Sequence, residues 1–216
     1  MENKKKKVAL QIILIIAGLG LIISGLIKIS GGLKGSSKVS NAFINKFNEI
    51  QNLSNEASND MKAAGDLLLG ISNKENVKDY VGAAKDIKTS ISKLDEATSK
   101  INSLNTKISE FKVMVEAVTD SEVKQSGLKL ISLLEQKNAV TLKLINNSKQ
   151  LIEPAKTYYE ALAAGMAGVY LDNNQVAKLT QEINEDNKTL SALIAEINVV
   201  NQDLAKVAGF QIKTSK

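Results

Sequence analysis

The stretch 76–118, NVKDYVGAAKDIKTSISKLDEATSKINSLNTKISEFKVMVEAV, decides the fold. Its core candidates are Tyr80, Ala84, Ile87, Ile91, Leu94, Thr98, Ile101, Leu104, Ile108, Phe111, Val115 and Val118, and they follow one another at steps of four and three. That spacing puts all of them on one narrow face of an α-helix, and a stripe of this width is covered by another helix. Only the consecutive three-residue steps Thr98–Ile101–Leu104 break the strict heptad, as a stammer would.

The pattern continues on both sides. Residues 39–70 place Phe43, Phe47, Ile50, Ser54, Ala57, Met61, Ala64 and Leu68 in phase. Residues 121–166 do the same with Ile131, Leu134, Asn138, Thr141, Ile145, Ser148, Ile152, Ala155, Tyr159, Leu162 and Met166. Residues 174–208 follow with Val176, Leu179, Ile183, Asp186, Leu190, Leu193, Ile197, Val200, Leu204 and Val207. No segment alternates as a strand would. The fold class is therefore all-α: a long antiparallel up-down helical bundle of about four helices with coiled-coil-like heptad packing, over 39–209.

The breaks carry suitable chemistry. Residues 71–76 supply Ser and Asn, and Thr119, Asp120 and Ser121 supply N-cap candidates, with Thr119 and Glu122 at capping-box spacing. Gly165, Gly168, Asn173 and Asn174 mark the last turn, and Gly209 suits a helix stop. Connections this short make neighbouring helices antiparallel. Pro154, the only proline, is expected to kink the third helix or to split it near 146–149. The second and third segments, at ~65 Å if unbroken, would overhang the others unless one is broken.

Ahead of the bundle stands VALQIILIIAGLGLIISGLI, which begins at Val8 and ends at Ile27 without a charge. Its twenty residues reach ~30 Å as a helix, the thickness of a bilayer's hydrocarbon core. A single-pass anchor is expected at 8–27, after the basic segment 1–7 and before a Gly/Ser linker at 28–38 that includes Gly31, Gly32, Gly35, Ser36 and Ser37. Lys4, Lys5, Lys6 and Lys7 favour a cytoplasmic N-terminus and an extracytoplasmic bundle. The competing reading is a cleaved signal peptide, but the apolar run exceeds a usual h-region and no A-x-A pattern follows it. Ala17, Gly20 and Ser24 share a helical face on which two anchors would pack. Residues 210–216 form a short polar tail.

Composition prunes the chemistry. The chain has 216 residues and no His, Cys or Trp, and all 28 of its basic residues are lysines. Disulfides, thiolate nucleophiles and imidazole bases are thereby excluded, and metal sites lose their commonest ligand. The net charge of +5 is concentrated at the anchor: 1–38 holds seven Lys against Glu2, while the rest holds 21 Lys against 22 acids. With no arginine and no basic excess on the bundle, nucleic acid is not an expected partner. No phosphate loop, Ca²⁺ loop or nucleophile elbow is present, so no enzyme activity, cofactor or metal is expected. Glu182, Glu185 and Asp186, beside Lys178 and Lys188, fit a solvated helix face. Asp95 and Glu96 likewise fit an ordinary surface, with Lys93 alongside and Lys100 four residues after Glu96. Ser54, Thr98, Asn138 and Asp186 on the seam, with Asn105 beside it, fit register-setting positions; a polar pocket is the alternative.

Folding the segments up and down from the membrane sends Tyr80, Tyr158, Tyr159 and Tyr170 to the far end. Phe43, Phe47, Phe111 and Phe210 gather at the near one. Tyrosine suits a surface that alternates between water and a partner, so the tyrosine-rich tip is the expected contact surface. The function expected is a membrane-anchored structural or interaction protein (scaffold, stalk or adhesin-like) whose partner is another envelope or surface protein or a second copy. The alternative is a sensor that binds a small ligand between helices and signals through dimerised anchors or a partner protein.

Overall fold

The computed structural model describes residues 38–166 and 173–210. Four long helices carry the chain: α1 (Asn41–Leu69), α3 (Tyr80–Glu116), α4 (Ser121–Ala163) and α5 (Asn173–Ala208), with the short α2 (Ile71–Asn76) after α1. There is no strand among the described residues, and the helical-bundle expectation is met. No helix among them is long and apolar enough to cross a membrane. The expected anchor, Val8 through Ile27, lies outside the described residues, as do the linker glycines, Gly168, Tyr170 and the tail from 211 on.

Each long helix starts or stops where local chemistry dictates. The Ser40 hydroxyl caps α1 by accepting from the Phe43 N–H at 3.2 Å. Asp79 caps α3 through the Gly82 N–H. Of the three candidates before α4, Asp120 is the cap and accepts from the Glu122 and Val123 N–H groups. Two residues past the end of α4 stands Gly165, whose φ of +71° is left-handed. The Met166 N–H then reaches back to the Ala161 carbonyl, and the Gly165 N–H to that of Leu162. Those two bonds form a Schellman stop. Gly209, at φ +78°, ends α5 in a related way, with the Phe210 N–H on the Ala205 carbonyl.

Two expectations about the connections are corrected. Residues 71–76 are helical rather than a loop, because Gly70 keeps helical dihedrals and Ile71 is fully buried. The chain turns afterwards, through Lys78 at φ +59°. Nor does Pro154 split the third helix: α4 runs unbroken for 43 residues. Its length is met on the α1 side by α2, which extends the 29 residues of α1 beyond Gly70.

Sequence-adjacent helices pack side by side and antiparallel. Lys46 pairs with Glu110 and Asp60 with Lys100 between α1 and α3. Asp95 pairs with Lys149 and Asn105 with Asn138 between α3 and α4. Between α4 and α5 the pairs are Lys129–Glu196 and Lys143–Asp186. In each case the numbers run in opposite directions. Glu96 pairs with Lys93 instead of Lys100, and Lys100 crosses to Asp60. Lys93 and Glu96 thus form the expected pair within one helix, whereas Lys100 and Asp95 bridge to neighbouring helices. The α1–α5 seam differs from the others: nowhere do Cα atoms of these two helices approach within 8 Å.

The buried seam of α1 contains all eight expected residues and adds the flank Ile44, Gln51, Ser58 and Gly65. The seam of α3 corrects the expected one. It runs Ala83, Ile87, Ser90, Leu94, Ala97, Ile101, Leu104, Ile108, Phe111 and Val115, a strict alternation of four and three. Ala84, Ile91 and Thr98 are only partly buried, so no stammer exists. On α5, Ile194, Asn201 and Ala208 are buried where Leu193 and Val207 are only partly so.

Candidate functional site

Two places stand out from this frame: the far end of the bundle, and a polar layer at its middle.

At the far end, the structure moves the expected tyrosines inward. Tyr158 and Tyr159 are core residues and pack edge-on at 5.3 Å. The Tyr159 hydroxyl donates to Glu75 Oε2 of α2 at 3.2 Å. Burial, and then the neighbouring Glu75 carboxylate, hold its pKa well above the usual phenol range. Tyr80 is half-buried against the same core. The expectation that Tyr158 and Tyr159 form a contact surface is thus corrected, because both fall on the heptad seam that α4 buries. Tyr170 lies outside the described residues.

That end exposes aliphatic side chains among polar ones such as Asn76, Lys78 and Asp79. Val77 is 75 % exposed, Val81 68 %, Met166 60 % and Leu69 45 %. Leu69 ends α1, Val77 and Val81 flank the turn into α3, and Met166 follows α4. The register set by Asp95–Lys149 and Asn105–Asn138 carries the end of α4 to the level of that turn. The sequence signal was present: Val77 and Val81 are apolar residues out of phase with the seam of α3. Only Val113 and Val199 are comparably exposed elsewhere among the described residues.

At the middle, polar side chains interrupt the core. One hydrophobic cluster reaches Ile50 on α1 and Leu134 on α4; the next resumes at Ala57 and Leu144. Between them lie Gln51 and Ser54 of α1 with Lys137, Asn138 and Thr141 of α4, all buried. Lys137 Nζ donates to Ser54 Oγ at 2.7 Å. No carboxylate among the described residues pairs with it, and desolvation alone pushes its pKa down to about 8. Asn138 Nδ2 donates to Asn105 Oδ1 at 2.7 Å, and Asn138 Oδ1 has no partner. Neither amide atom of Gln51 has one either. Thr141 bonds the Lys137 carbonyl within its own helix.

The remaining expected polar positions resolve separately. Thr98 is half-buried and bonds its own helix at the Leu94 carbonyl. Asp186 is buried, with Lys143 Nζ at 2.8 Å. The expected seam runs through Leu134 and Asn138 and so passes Lys137 by. A second seam on the same helix, through Leu130, Leu134, Lys137, Thr141 and Leu144, keeps the four-three alternation and includes it.

No group of His, Cys, Asp or Glu among the described residues is arranged to hold a metal ion. No protein-family model matches the chain, and no curated protein or solved structure is significantly similar to it.

Proposed function

We propose that the chain is a membrane-tethered, non-enzymatic interaction protein. The run from Val8 to Ile27 anchors it, the bundle stands outside the cytoplasm, and the far end makes contact with another envelope or surface protein. One observation carries the choice of contact surface: Leu69, Val77, Val81 and Met166 are each exposed at the end where the helices turn. Large aliphatic side chains left in water at a bundle end cost free energy that a partner recovers by covering them. The tip Tyr80 is half-buried beside them and adds amphipathic area. The sequence carries no His or Cys to act as imidazole base or thiolate nucleophile, which favours binding over catalysis.

The test is photo-crosslinking on intact cells from positions 77, 81 and 166, with the partner identified from the crosslinked band. The expected result is one dominant partner, lost in Val77→Asp and Val81→Asp with the melting temperature unchanged. External protease should also remove the bundle beyond the linker. Equal crosslinking from Val77, Val113 and Val199 would show that the tip is not special and would end the proposal.

A further inference from the structure

Lys137 raises a question that contact at the far end does not answer. An ammonium 3 % exposed, with no carboxylate beside it, sits in the centre of a bundle whose other buried charges are paired. Isolated buried charge is among the costliest features a fold can keep. Its three N–H groups have one acceptor here, the Ser54 hydroxyl.

The surroundings narrow what would complete it. Ser54 accepts from Lys137, so its own proton is free to be donated to a ligand. Gln51 lies three residues earlier on α1, within about one helical turn of Ser54 on the buried side. It is 2 % exposed, and neither its NH₂ donor nor its carbonyl acceptor has a partner. The ion pairs to α3 leave α1 from Lys46, Glu49 and Asp60. Gln51 and its heptad mates Ile44 and Ser58 lie on the opposite flank, toward α5. That flank borders the seam whose backbones stay more than 8 Å apart.

We propose that Lys137, Ser54 and Gln51 form an interhelical binding site for a small organic carboxylate that also carries a hydroxyl or amino group. The carboxylate takes the ammonium, the Ser54 O–H and one Gln51 N–H. The Gln51 carbonyl takes the ligand's hydroxyl or ammonium. A single lysine balances one negative charge, so inorganic phosphate is a poor fit. A ligand without a donor leaves the Gln51 carbonyl unsatisfied. Entry requires α1 and α5 to part, and theirs is the seam in which the backbones are not in close contact. The proposal does not rest on the contact proposed for the far end.

The test is thermal melting of the full chain in nanodiscs, followed by circular dichroism, at constant ionic strength. L-lactate, L-serine, acetate, phosphate and chloride are the probes, each titrated to about 10 mM, well above a sub-millimolar dissociation constant. The expected result is a saturable rise in melting temperature with L-lactate or L-serine, smaller with acetate, and absent with phosphate and chloride. Lys137→Met should abolish the rise. Gln51→Leu, which keeps the lysine, removes both ligand bonds assigned to Gln51 and should weaken the apparent affinity by about tenfold or more. The proposal is overturned if neither hydroxy- nor amino-carboxylate gives a saturable rise. It is equally overturned if Lys137→Met keeps the rise, or if phosphate or chloride gives one as large. Should Lys137→Met not fold, Gln51→Leu decides alone, because an unchanged affinity there removes the site.

Discussion

Toward the start of α1 the core is filled by rings. Phe111 stacks at tilted angles on Phe43 and Phe47, with centroids 4.7 and 5.9 Å away, and Phe210 meets Phe47 at 6.1 Å. Toward the other end, equivalent seam positions carry Ala57, Ala64, Ala83 and Ala97, with Ser90 donating to the Ala64 carbonyl of α1 at 3.0 Å. One half fills its seam with rings; in the other, small seam residues let a hydroxyl reach the neighbouring backbone. The same heptad thus supports opposite packing strategies. The sign of a size change should depend on the half in which it is made.

The largest effect is expected in the aromatic half. Phe111 is fully buried against both Phe43 and Phe47. Phe111→Ala should cost ~3–5 kcal/mol, through lost transfer energy and the cavity left between rings that cannot collapse onto it. Urea unfolding gives the number, and a cost below about 1 kcal/mol would mean that the ring cluster is not tightly packed.

Between the halves, Lys137 sharpens the comparison, since the polar layer belongs to neither. Its pKa is about 8 in the folded chain against an ordinary 10.5. Between those values the unfolded chain binds a proton that the folded chain has released, so stability rises with pH across that window. Below pH 8 both states are charged and the full burial penalty remains. At 1.36 kcal/mol per unit the rise is on the order of 3 kcal/mol. Lys137→Met should be more stable than wild type at pH 7 and should lack the rise toward pH 10. Urea midpoints at the two pH values check this; parallel pH profiles would show that the ammonium is not desolvated.

The small-residue half should respond in the opposite sense to the aromatic one. Ala97→Leu adds three carbons at a fully buried seam position and should cost about 1–3 kcal/mol by overpacking. The same substitution would be a gain if that end were loosely filled. One glycine carries the close-approach strategy into the aromatic half. A Cβ on Gly127 would meet Val115 Cγ1 at 2.7 Å, so α3 and α4 touch there as well.

How much of this was legible in sequence follows from what each half is made of. Phe43, Phe47, Ile108 and Phe111 announce their phase by size, and on α1 and α3 the expected seam of that half matches the buried one; on α5 the expected seam takes Val207 where Ala208 is buried. Ser90 and Ala97 do not, and the larger neighbours Ile91 and Thr98 drew the expected seam one residue off, creating a stammer that the fold lacks. Lys137 is a charge standing in apolar phase, and a single seam through α4 passed it by. Tyr158 and Tyr159 were placed at the correct end, but chemistry at a bundle end does not reveal which way a ring turns. The in-phase position of Tyr159 argued for the core, and the core is where it lies.

The smallest effect is expected on the outer flank of α1. Lys46 bonds both Glu49 and Glu110 at 2.7 Å, and Lys107 reaches Glu49 at 3.2 Å. Lys46 and then Lys107 hold both carboxyls below the usual carboxylate range. Their contribution is present above the ordinary carboxylate pKa and is lost as pH falls through the depressed folded values. These groups stand in solvent, so Glu110→Gln should lower the melting temperature at pH 7 by only about 1 °C, a difference that disappears in 1 M salt. A shift of several degrees would mean that charge, rather than the rings beneath it, fastens α1 to α3. No ion pair joins α1 to α5 among the described residues, so α1 would then be held from one side only, and the seam beside Gln51 would be the first to open.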